Sequence, residues 1–123
     1  MTAPRTATVQ TIDQGTITVP EPAWCNGWHV DGEYSVDLTH ESTARCALID
    51  TPCHGLEILL PANITQSPLS TRSDITVTVD MGQSHEFDPP SLEALADTLV
   101  SHADTLRTLA LQLAVLQAEE AGR

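Results

Sequence analysis

Lysine is absent from this 123-residue chain, and its cations are five arginines at positions 5, 45, 72, 107 and 123. Against 17 acidic residues they leave a formal charge of −12 with the histidines neutral. Phosphate contacts need clustered cations, and these are scattered, so the chain is not expected to bind nucleic acid. Docking on anionic lipid is disfavoured for the same reason. Aromatic residues are almost as scarce: Trp24, Trp28, Tyr34 and Phe87 are all there is. A core must therefore be built from Leu, Val, Ile and Ala, and the apolar share of 41% is enough for a globular chain. The six glycines are isolated, so there is no Gly-rich phosphate loop, and neither a G-x-S-x-G elbow nor an H-E-x-x-H pair is present. Residues 1–20 hold no apolar run of signal-peptide type, and the longest uncharged apolar stretch, Thr108–Ala118, is too short to cross a bilayer. Three cysteines are an odd number that fits a disulfide framework poorly. Together these absences point to a cytoplasmic protein with reduced thiols.

The length suits a single domain over 1–123. Residues 1–6 read as a frayed terminus, 7–87 as a β-rich region and 89–118 as one long amphipathic helix. Ala7–Ile12 and Thr16–Val19 alternate as half-buried strands around Asp13-Gln14-Gly15, which is a hairpin pattern. Pro20-Glu21-Pro22 ends that sheet. Glu33–Thr39, Arg45–Asp50 and Leu56–Leu60 read as further strands, with a hairpin loop at Glu41–Arg45 and a turn at Thr51–Gly55. Pro61–Asp74 reads as a connecting loop, Ile75–Asp80 as the clearest strand, and His85–Phe87 as a short returning strand. Asp88 can cap a helix that Pro89 opens. The order predicts an α+β fold, with a small, mostly antiparallel sheet of about five to seven short strands followed by one long C-terminal helix.

Cys25, His29, His40, Cys46, Cys53 and His54 fall within thirty positions. Structural zinc takes four Cys or His ligands, often as short-spaced pairs. Cys25-x3-His29 makes one such pair, because a four-residue step in a turn brings both side chains to one side. His40 and Cys46 flank the proposed Glu41–Arg45 hairpin loop and would face one another across the ladder, about 5 Å apart at the backbone. Cys53 and His54 then lie at the far end of the second strand. Free cysteines also serve as small buried hydrophobes, and histidines as ordinary core or surface residues. Neither pair has the tight C-x2-C spacing that marks zinc most strongly.

Pro22-Ala23-Trp24-Cys25, followed by His29 and His40, resembles an uncharacterised family of small actinobacterial proteins with a C-P-x-W-C-x3-H…H motif and an Ala/Leu-rich C-terminal helix. The Leu95–Ala103 stretch of this chain matches that helix. The resemblance implies metal ligands at Cys25, His29 and His40. It departs from the family pattern at Glu21, which stands where the motif has its first cysteine. The fourth position is assigned to Cys46, with Glu21 through its carboxylate, Cys53 and His54 as alternatives.

Two functional classes follow. One is a small, acidic, non-catalytic interaction or regulatory module stabilised by structural zinc and able to bind a basic protein surface, which includes DNA mimicry or capture of a basic transcription protein. The other is a metal-dependent hydrolase with an open three-ligand site and Glu21, Glu33 or Asp37 as general base. A shallow, aromatic-poor domain favours the first.

In the helix, Leu92, Leu99, Leu106 and Leu113 recur every seven residues, with Leu95, His102, Leu109 and Leu116 at companion positions. A helix over 89–118 is about 45 Å long, against a diameter near 35 Å for a compact chain of this size. The sheet is expected to cover its first half, leaving Leu106, Leu109, Leu113 and Leu116 to form a homodimer interface.

Overall fold

A computed structural model describes residues 4–82 and 89–122. The predicted strand at His85–Phe87 and the Asp88 cap lie outside the described residues. β1 (Arg5–Thr11) and β2 (Gly15–Glu21) form an antiparallel hairpin, in register from Arg5↔Glu21 to Thr11↔Gly15. Alternation produces it. Ala7, Val9 and Val19 are buried on one face, while the Thr8 and Thr18 hydroxyls meet at 2.9 Å on the other. Both strands outrun their sequence boundaries. Arg5 and Thr6 belong to β1 rather than to a frayed end, because the Arg5 guanidinium is tied to the Pro22 carbonyl at 2.8 Å. β2 continues through Pro20, a residue tolerated in a two-stranded ribbon where half the N–H groups point away from the partner.

Glu33–Thr39 is not a strand. Ser35–Asp37 forms a single 3-10 turn, and Glu33 makes only an isolated parallel bridge to Thr11. Asp13 explains the difference: its carboxylate accepts bonds from the Ser35 N–H at 2.8 Å and the Ser35 hydroxyl at 2.7 Å. Such side-chain bonds offer the backbone an alternative to a ladder. Of the three alternating apolar residues, Leu38 joins the hairpin core, whereas Tyr34 and Val36 face solvent.

The second sheet contains β3 (His40–Glu41), β4 (Arg45–Thr51), β5 (Gly55–Gln66) and β6 (Thr76–Val79). β5 is its axis. Ala62 pairs with Arg45 of β4 and Val79 of β6, and Thr65 pairs with Glu41 of β3 and Thr76 of β6. β3 and β4 therefore share one edge of β5 and β6 takes the other. The chain between β3 and β4 does not reverse, so the hairpin expected at Glu41–Arg45 is instead a break in one edge. Ser42 spans that break, donating its N–H to the Ile64 carbonyl at 2.9 Å while its hydroxyl accepts the Ile64 N–H at 2.8 Å. β5 also runs on through Pro61, where a loop was expected. The register shifts between Arg45 and Ala47, and Leu60 takes a positive φ of 48°. Proline is tolerated at such a bulge.

α1 (Pro89–Ala121) lies over this sheet. Leu109 is buried against Ala62, Ile64 and Ile75, with Leu106, Leu113 and Leu116 packed beside it. His102 is also buried, and its Nε2–H donates to the Leu60 carbonyl at 3.0 Å. The leucines expected to await a second copy thus meet their own sheet, because Pro61–Gln66 supplies a strand beneath them. Leu92 and Leu99, in the half expected to be covered, are exposed. No helix among the described residues is long and apolar enough to cross a membrane.

Two outcomes test this packing. Leu109→Ala should lower unfolding stability by about 2–5 kcal/mol, whereas Leu111→Ala, exposed on the same helix, should change it by less than about 0.5 kcal/mol. Urea titration reads both, and equal losses would contradict the assigned face. The bonds from Ser35 hold the Asp13 carboxyl below its ordinary value of 3.8. A depressed folded pKa gives stability that is present above the unfolded value and lost as pH falls through the folded one. Asp13→Asn should therefore flatten the acid limb of the stability curve below about pH 4.

Candidate metal centre

The site forms where β2 ends and β3 begins. Glu21 is the last residue of β2, and the chain then turns, with the Cys25 N–H donating to the Pro22 carbonyl at 3.1 Å. Arg5 holds that turn from β1, donating to the carbonyls of Pro22 at 2.8 Å and Cys25 at 3.0 Å. The Asn26 N–H bonds the Glu41 carbonyl at 2.8 Å and stitches the turn to β3. Gly27, at a φ of 83°, redirects the chain in a conformation that favours glycine. This returns His29 toward Cys25, while His40 enters as the first residue of β3. One ligand atom from each of Glu21, Cys25, His29 and His40 lies within 4.8 Å of every other.

The spacing suits a tetrahedral ion. Donors 2.0–2.3 Å from zinc stand about 3.3–3.8 Å apart at the tetrahedral angle. His40 Nδ1 is 3.4 Å from Glu21 Oε1, Cys25 Sγ is 3.9 Å from His29 Nε2, and His29 Nε2 also bonds Glu21 Oε1. The two imidazoles meet edge to face at 5.5 Å and 80°. His40 is 1% exposed, yet its Nδ1 makes no hydrogen bond despite the nearby carboxylate. A buried polar atom left without a partner is costly, and a metal ion would satisfy it. The Gly27 N–H points at Cys25 Sγ from 3.4 Å, an orientation that favours the thiolate. Trp24 packs edge-on against His40 at 6.3 Å and also touches the core beneath α1. The indole therefore supports the site rather than forming part of it.

Electrostatics set the protons. Burial, reinforced by the hydrogen bond to Glu21, pushes the Cys25 thiol up. Burial also pushes Glu21 up, but the bonds from Cys25 and His29 and the charges of His29 and His40 outweigh it, so its carboxyl falls below the usual range. Burial lowers His40, and the Glu21 carboxylate offsets this only in part. Without metal at neutral pH, Cys25 is a thiol, Glu21 a carboxylate and His40 a neutral imidazole. One sulfur, two imidazole nitrogens and one carboxylate oxygen form a donor set that zinc accepts.

Three of the four primary ligands read from the sequence come together here, joined by Glu21, which had been one of several alternatives. Cys46 does not join them. It sits beside the β4 bulge and is exposed. The β5 partners of His40 and Arg45, Gln66 and Ala62, are separated by four ladder steps, about 13 Å. Cys53 and His54 occupy the β4–β5 turn, where Cys53 is exposed and the His54 N–H bonds Thr51 Oγ1 at 3.1 Å. The signal for Glu21 was its position at a strand end, four residues before Cys25.

An α+β domain with a buried Glu-Cys-His-His cluster between its two sheets is thus the class that fold and site define. The chain belongs to a family described as a domain of unknown function, DUF6907, which matches residues 6–115 and so spans the whole cluster. No curated protein and no solved structure matches the chain.

If these four side chains hold the ion, Cys25→Ser should abolish stoichiometric metal uptake, while Cys46→Ser and Cys53→Ser retain it. Elemental analysis reads all three variants. Uptake should also release about one proton near neutral pH, chiefly from the Cys25 thiol. The apparent affinity should then rise about tenfold per pH unit there, and a flat pH dependence would exclude a thiol ligand.

Proposed function

We propose that this chain is a small, acidic, non-catalytic protein-interaction or regulatory module whose Glu21–Cys25–His29–His40 cluster holds a structural zinc ion. The observation that carries the reading is the fully buried, unpartnered Nδ1 of His40 facing three other donor side chains. Four protein ligands close a tetrahedral ion, whereas catalytic zinc keeps three and leaves a position for water. The closed set therefore speaks against the hydrolase alternative. Zinc also fits the energetics of a chain with four aromatic residues, because binding an ion that only the folded state can coordinate adds directly to folding free energy. The charge of −12 supplies the second half of the proposal, since it favours a basic protein surface over nucleic acid or another acidic chain.

Purified protein should contain about one zinc per chain, and a chelator should lower its melting temperature by several degrees or unfold it. Absence of zinc, together with a melting curve that ignores both chelator and Cys25→Ser, would overturn the reading.

A further inference from the structure

The segment between the second and fourth ligands of the cluster is fastened at many points. The Gln10 N–H bonds the Asp31 carboxylate at 2.9 Å, the Gly32 N–H the Gln10 carbonyl at 2.8 Å, and the Ile12 N–H the Glu33 carbonyl at 2.9 Å. Its 3-10 turn is tied to Asp13. A segment so fixed nevertheless turns Trp28, Val30, Tyr34 and Val36 to solvent, and Trp28 is 78% exposed. These include half of the aromatic residues of a chain that has only four. Folding gains nothing from that exposure. Large apolar side chains held rigidly at the surface, tryptophan and tyrosine above all, are the usual anchors of protein interfaces.

A cavity of about 320 Å³ opens beside Trp28, with Leu38 and Thr39 among its lining and Glu33, Asp37 and Glu41 around it. No arginine is among the residues lining the cavity, and the chain has no lysine, so its three carboxylates face the opening without an arginine or lysine in the lining. Its charge and its apolar content together select the occupant. A guanidinium can stack on the indole face while its N–H fork reaches a carboxylate in bidentate fashion. A second copy of this chain would bring another −12 charge and is disfavoured.

We infer that the Trp28 cavity and the exposed segment around it dock an arginine-bearing, partly apolar segment of a basic partner protein. This rests on the proposed interaction role. His29 of the proposed metal site lines the same cavity, so a bound ion would fix one of its walls.

The test uses the full chain with its zinc content measured first. The probe is a capped, tryptophan-free peptide of alternating arginine and leucine, titrated at physiological salt and followed by calorimetry and tryptophan fluorescence. The expected result is saturable 1:1 binding that weakens about tenfold or more on Trp28→Ala or Asp37→Asn. Replacing arginine by citrulline in the peptide should weaken it similarly. The double change Glu93→Gln/Asp97→Asn, on exposed acids of α1, should leave it unaltered. No binding to zinc-replete protein, an unchanged affinity in Trp28→Ala, or an equal loss in the α1 variant would overturn the docking surface. Binding by a protein that holds no zinc would uphold the surface while removing the metal from the account.

Discussion

The carboxylate of Glu21 is the point on which both halves of the molecule converge. It ends β2, bonds His29 across the intervening turn, and faces His40 at the start of β3. The hairpin and the four-stranded sheet share no continuous ladder, and each has its own small core. What joins them near this point is the side-chain cluster, the Asn26–Glu41 backbone bond and Trp24, which touches both His40 and the core under α1. A cluster that brings a buried carboxylate, a thiol and two imidazoles together is expensive without compensation. A divalent ion bound by these four side chains would supply it, by neutralising charge and partnering the atom that the protein leaves unbonded.

Metal binding at the proposed site would also offset the small aromatic content. The two cores rest on Ala7, Val9, Val19 and Leu38 on one side and Ala62, Ile64, Ile75 and Leu109 on the other. Each is small, and a short chain buries a modest share of its surface. Coordinate bonds to an ion in the proposed site would add cross-links where apolar burial is thin. Cys25 and His40 of the cluster bracket the segment that carries Trp28 and Tyr34, so the side chains gathered between the sheets also bound that exposed surface.

Much of this was legible from residue pattern. The β1–β2 hairpin, the β4–β5 pairing, β6 and the long helix follow from alternation, turn residues and an uninterrupted heptad stripe. Cys25 and His29 stood out by spacing, and the family resemblance grouped His40 with them. The misreadings share a physical origin: local pattern does not reveal which strand a segment meets. Reading Pro61 as a strand breaker hid the bulge at Leu60 and removed the strand beneath Leu109, which made the second half of α1 look free. Reading Glu41–Arg45 as a reversal placed Cys46 opposite His40, when β3 and β4 run along the same edge of β5. The alternation in Glu33–Thr39 yielded to two hydrogen bonds from Asp13, twenty-two positions from Ser35 in the chain. Glu21 was legible as a donor but not as the chosen one, because only the turn held by Arg5 brings its carboxylate back over Cys25 and His29.

X-ray absorption at the zinc edge of the purified protein tests the central claim most directly. The account predicts one sulfur at about 2.3 Å and three nitrogen or oxygen donors at about 2.0–2.2 Å, with two of the latter showing imidazole scattering. Two or more sulfurs would mean that Cys46 or Cys53 has displaced Glu21. No sulfur would remove Cys25 from the site. Either result would contradict the Glu-Cys-His-His centre described here.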